Sequence, residues 1–114
     1  MNLTSQTEGQ VLLINVDEPR IDASVAIQFK DQMRELSDAH PARIVVDLSR
    51  VDFIDSSGLG AIVAAMKQLG NGRTLELASL TPTVGKVFRL TRMDSVFKIH
   101  DTPAKALRAG AESP

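Results

Sequence analysis

The residues best suited to chemistry stand together at Asp55-Ser56-Ser57-Gly58, where two hydroxyls follow a carboxylate just ahead of an apolar helical pattern. A helix N-terminus collects unpartnered backbone N–H groups and the positive end of the helix dipole. Such a place favours an anion or a phosphate. One serine there can also serve simply as the helix cap.

Three catalytic uses of this neighbourhood lack their parts. A nucleophilic serine needs a base and an orienting acid, yet the G-x-S-x-G pentapeptide is absent. Only His40 and His100 could act as the base, and both fall at expected element ends far from the turn in sequence. A phosphate-binding P-loop requires G-x-x-x-x-G-K-[ST], whereas Gly58-Leu59-Gly60 has neither the length nor the lysine. Asp47, Asp52 and Asp55 offer oxygen ligands for a hard cation, but aspartates near strand ends commonly form turns and caps. The expectation is a protein that is not an enzyme, with no catalytic residue, metal or cofactor.

The elements that position the turn are legible on either side of it. Ile44 to Leu48 is a near-continuous apolar run with three β-branched residues in a row, the composition of a strand buried on both faces. Beyond the turn, Leu59, Ile62, Val63, Met66 and Leu69 recur at helical spacing and predict the core-facing stripe, with Gly70 as the stop. Gly58, Ala61, Ala65 and Gln68 make a second stripe, expected away from the core. It has two readings: alanine filling a surface helix because it is the best helix former, or a smooth face that another protein can approach closely.

Along the rest of the chain, Leu3 to Thr7, a turn at Glu8-Gly9 and Val11 to Val16 predict an antiparallel hairpin. Asp22 is expected to cap a helix carrying Val25, Phe29, Met33 and Leu36, closed by His40-Pro41. Thr74 to Ala78 supplies a further parallel strand after the Gly70-Asn71-Gly72 break. Thr81-Pro82 and Thr102-Pro103 each combine a cap with a proline at the first helical position. The first opens a helix with Val84, Val87 and Phe88; the second opens one with Ala104, Leu107 and Ala109. Between them Val96 to Ile99 is a brief strand, and residues 111–114 are expected to fray. The order predicts an α/β fold, a mixed β-sheet with about four helices alongside, as a single domain over residues 1–114.

Bulk properties narrow the function. A chain of 114 residues buries roughly 65% of its unfolded surface, enough for a core without staples. There is no cysteine, so disulfides and thiolate metal sites are excluded. A net charge of −1 with interspersed signs, and no tryptophan or tyrosine, gives no footprint for nucleic acid. No apolar run approaches the roughly 20 residues of a membrane span, and MNLTSQTEGQ lacks the regions of a signal peptide. A soluble cytoplasmic protein is the expectation.

The run VVDLSRVDFIDSSGLGAIVAAMKQLG resembles the signature of the STAS domain, and in particular of the bacterial anti-sigma factor antagonists, in which a strand ending in D-L precedes a D-S-[ST]-G-L-G turn and a helix. Arg20-Ile21-Asp22, Leu77-Ala78 before Thr81-Pro82, and Val96-Phe97-Lys98-Ile99 extend the likeness over nearly the whole chain. One departure is Pro19-Arg20-Ile21-Asp22, where the family has Gly-x-Leu-Asp.

The resemblance implies a switchable binding protein. Its partner would be an anti-sigma factor that is also a serine kinase, and a PP2C-type phosphatase would reverse the modification. Ser56 is then the phosphoacceptor, a choice over Ser57 that rests on the resemblance and not on physics. Asp55, Ser57, Gly58, Leu59 and Gly60 complete the motif. Asp22 and the small residues Ala61 and Ala65 are expected to share the docking patch. The family also contains scaffold subunits of larger signalling or lipid-transport assemblies, which is the alternative expectation.

Overall fold

The computed structural model describes residues 1–38, 42–70 and 72–112. His40-Pro41, expected to close the first helix, and Asn71 lie outside them, as do the last two residues of the expected frayed tail.

The hairpin forms as expected from β1 (Leu3–Glu8) and β2 (Val11–Val16), antiparallel with Leu3 opposite Val16. β1 is polar and edge-lying, whereas β2 is apolar on both faces and takes a parallel neighbour, β4 (Arg43–Asp47). Next comes β6 (Thr74–Ala78), parallel to β4 with Val45 opposite Glu76, and then the short β7 (Ile99–His100). The five-stranded order is β1-β2-β4-β6-β7. Two short strands that the sequence reading did not foresee, β3 (Arg20–Ile21) and β5 (Phe53–Ile54), pair parallel in a sheet of their own.

Side-chain alternation divides the core between the two faces of the large sheet. Leu12, Ile14, Ile44, Val46, Leu75 and Leu77 point to one side, where α1 (Ala26–Ser37), α2 (Ser56–Gln68) and α3 (Pro82–Leu90) bring Phe29, Met33, Ile62, Val84 and Phe88. Val11, Leu13, Val45 and Ala78 point to the other, covered by Ala106 and Leu107 of α4 (Pro103–Glu112). This is the expected mixed sheet with four helices.

Four local expectations are corrected. Asp22 does not cap α1: three turn residues intervene, and the N-cap is Val25 without a side-chain bond. The last strand begins only at Ile99; Val96 is exposed, and Phe97 turns inward to meet Phe88 edge-on at 6.0 Å. The buried face of α4 carries Ala106 and Leu107, while Ala104 and Ala109 are exposed. β4 does not pass directly into α2 but is separated from it by Leu48–Asp52 and β5.

Candidate functional site

The helix α2 starts at Ser56 because Asp55, in extended conformation, is its N-cap. The Gly58 N–H donates to Asp55 Oδ1 at 2.8 Å, satisfying one of the first-turn donors that a helix cannot pair internally. The Ala23 N–H donates to Asp55 Oδ2 at 3.2 Å. A single carboxylate thus ties the helix start to the turn leading into α1. Capping falls to the aspartate rather than to a serine, and Ser56 and Ser57 are both exposed in the first turn.

That leading turn is organised by Asp22. Its Oδ1 accepts from the Ser24 N–H at 3.0 Å and from the Ser24 hydroxyl at 2.5 Å, and its Oδ2 accepts from Arg20 Nε at 3.2 Å. The Ser24 hydroxyl first, and Arg20 second, hold the Asp22 carboxyl below its ordinary range. Arg20 in turn lies over the Phe53 ring, 4.0 Å from its centroid. The Asp52 and Phe53 N–H groups both donate to the Pro19 carbonyl, so Pro19 and Arg20 fix the approach to the turn from the side.

Gly58 is required by close approach. A Cβ there would stand 1.9 Å from the Ile21 carbonyl oxygen, a contact no side chain can make. Gly60, two residues on, has open space around it and is exposed, and Leu59 is half-buried against the core.

The stripe of small residues is where sequence and structure differ most. Gly58, Ala61 and Ala65 were expected on the free face, but all three are buried; only Gln68 is exposed. α2 packs along α1 through this stripe and against the sheet through Ile62 and Leu69, so it is covered on two adjacent sides. The two alanines let the helix backbones approach, while Gly58 admits the Ile21 carbonyl of β3. The surface that remains is a shallow groove between α1 and α2, with Ser57 and Gly60 on one side and Ile27 and Lys30 on the other. Ile27 is 70% exposed. Ile27 is absent from the expected docking patch, although it falls outside the Val25, Phe29, Met33 and Leu36 spacing and so stands in the sequence as an apolar residue on the wrong face.

The other candidate groups are engaged elsewhere. His100 Nε2 lies 2.8 Å from Glu76 Oε1, in a polar cluster on the side of the sheet that α4 covers. Asp47 Oδ1 accepts from the Ser49 N–H at 2.8 Å, a turn bond. Among the described residues no group of three or more His, Asp or Glu side chains is placed to hold a metal ion. No helix among them is long and apolar enough to cross a membrane.

This arrangement is shared with known proteins. Residues 2–106 match the family model described as the STAS domain. A protein of Bordetella bronchiseptica provisionally named anti-sigma factor antagonist BtrV is 30% identical over 90 residues, 78% of each chain. A STAS-domain anti-sigma-factor antagonist from Planctomyces limnophilus superposes with a TM-score of 0.87 at 23% identity, covering 96% of this chain and 98% of that one. The Bacillus cell fate determinant SpoIIAA in its phosphorylated form superposes at 0.67 with 20% identity, over 95% and 98%. With the D-S-S-G-L-G turn in place and residues 2–106 matched to the family model, this chain belongs to the STAS-domain family.

Proposed function

We propose that the chain is an anti-sigma factor antagonist whose binding is gated by phosphorylation of Ser56. Its partner is an anti-sigma factor with serine kinase activity, held when the Ser56 hydroxyl is free and released when it is modified; a PP2C-type phosphatase resets the switch in the cytoplasm. The protein acts by binding, not by catalysis. The observation that carries this reading is that Asp55 takes over the capping, leaving the exposed Ser56 hydroxyl at the helix start without that structural duty. The Bordetella relative's name, and the solution of SpoIIAA in a phosphorylated form, support it.

The docking patch consists of Asp22, Asp55, Ser56, Ser57 and Gly60, with Leu59 at its base and Ile27 as its apolar anchor. Beneath it, Ala61 and Ala65 let α2 pack closely on α1, and Gly58 lets α2 approach β3. Phosphorylation adds about −1.5 to −2 charge beside Asp55 and close to the Asp22 turn. The helix dipole tolerates a phosphate at this end, so the fold persists while the interface gains repulsion and a desolvation penalty. A 100-fold weakening requires only about 2.7 kcal/mol.

The test uses the cognate kinase recovered from the host with Ser56→Ala as bait. Ser56→Asp weakens binding about 100-fold with an unchanged circular dichroism spectrum, and Ser56→Ala abolishes phosphate incorporation. Labelling that persists in Ser56→Ala overturns the assignment of the site. A native protein that never yields a phosphopeptide covering Val51 to Lys67 supports the scaffold reading instead.

A further inference from the structure

β4 pairs with β6 along its whole length, whereas β7 reaches only Leu77 and Ala78. The first half of β6 is left without a strand on its outer side, and a cavity of about 250 Å³ opens there. Met66 from the last turn of α2, Leu75 and Val96 give it apolar walls, and Arg73 and Lys98 border it as cations. Val96 is 47% exposed, an apolar residue held at the rim with little to cover it.

Neither Arg73 nor Lys98 belongs to an ion pair among the described residues. Glu76 also borders the cavity, but Arg43, Thr74 and His100 already occupy both its oxygens. Two cations therefore stand at an apolar hollow without a counter-ion.

We propose that this cavity binds the carboxylate of a small amphiphile, a medium-chain fatty acid, with the head on Arg73 and Lys98 and the chain over Met66, Leu75 and Val96. A bare inorganic anion would leave the apolar walls uncovered. A neutral chain would leave both cations without a counter-ion. The volume holds about eight water-sized atoms at ~30 Å³ each, and the open rim lets a longer chain continue outward. The site lies at the opposite end of α2 from Ser56 and stands independently of the switch.

Octanoate titrated into the ¹⁵N-labelled full chain, followed by amide shifts, tests this. Saturable shifts are expected at residues 73–76 and 96–98, with binding about tenfold weaker in Arg73→Gln and weakened in Lys98→Gln, the scale of a lost charge-assisted hydrogen bond. Octanol and inorganic phosphate, used as separate probes, bind at least about tenfold more weakly for the same reason. Absence of saturation, equal binding of octanol or phosphate, or unchanged affinity in Arg73→Gln overturns the proposal. Should Arg73→Gln fail to give a dispersed spectrum, the exposed rim variants Lys98→Gln and Val96→Ser decide the matter by the same criterion.

Discussion

Asp55 has two hydrogen-bonding oxygens and uses them on two different parts of the chain. Replacing it with alanine leaves the Gly58 and Ala23 N–H groups without their acceptor, and the loss of a cap plus one further bond costs about 1–3 kcal/mol. Urea unfolding of Asp55→Ala should show that loss. Gly58→Ala is expected to destabilise by a different route, because its methyl group collides with the Ile21 carbonyl rather than removing a partner. Overpacking of this kind costs about 1–3 kcal/mol, and relief can come only by moving β3 away from α2. The amide resonances of Arg20 to Ser24 should therefore shift in Gly58→Ala while those of the distant β1 stay in place. At this scale the motif itself was legible in the sequence, since a carboxylate, two hydroxyls and a glycine before an apolar helical repeat can mean little but a helix start. Which residue caps was not legible. Serine and aspartate rank alike as caps, and the choice is made by Ala23, which lies 32 residues earlier in the chain.

The elements were legible where they are long and periodic. β2 and the core stripes of α1 and α2 follow from their spacing alone, and so does the cap-plus-proline start of α3, where Val84 N–H donates to Thr81 Oγ1. β3 and β5, at two residues each, are too short to carry a period, and β7 is fixed by its pairing with Leu77 and Ala78 rather than by its own composition. Periodicity also says which residues share a helix face without saying what covers that face. For Ala61 and Ala65 both possibilities suit alanine, and only the packing of α1 decides. The two possibilities differ sharply on substitution. On a free face Ala65→Leu would be nearly neutral, because leucine is a good helix former. Wedged between α1 and α2, where Ala65 is 3% exposed, it is expected to destabilise by about 1–3 kcal/mol. Thermal unfolding of Ala65→Leu beside the exposed control Gln68→Leu measures the difference directly.

Across the whole molecule one polar cluster joins four elements, and its response to acid can be worked out. Arg43 of β4 donates through Nε to Glu76 Oε2 at 2.8 Å and through Nη2 to Glu76 Oε1 at 2.6 Å, and the same Nη2 donates to the Ala106 carbonyl of α4 at 2.8 Å. Thr74 Oγ1 donates to Oε2 at 2.9 Å, and His100 of β7 lies 2.8 Å from Oε1. Burial by itself pushes the Glu76 carboxyl up, since Glu76 is only 4% exposed. The hydrogen bonds from Arg43, His100 and Thr74 outweigh that and hold it down at about 2, against an ordinary value of 4.5. Because the folded value lies below the unfolded one, the charged cluster stabilises the fold fully above pH 4.5, and this contribution is lost as pH falls from there towards 2. A difference of this size corresponds to about 3 kcal/mol. Glu76→Gln keeps an acceptor for Arg43 but removes the charge, so it should cost a comparable amount at neutral pH and show a flatter loss of stability between pH 4.5 and pH 2. Urea unfolding of both proteins across that window separates Glu76 from the remaining carboxylates, which titrate alike in the two. Parallel curves would mean that the cluster fastens α4 to the sheet by hydrogen-bond geometry alone, with the charge on Glu76 contributing nothing.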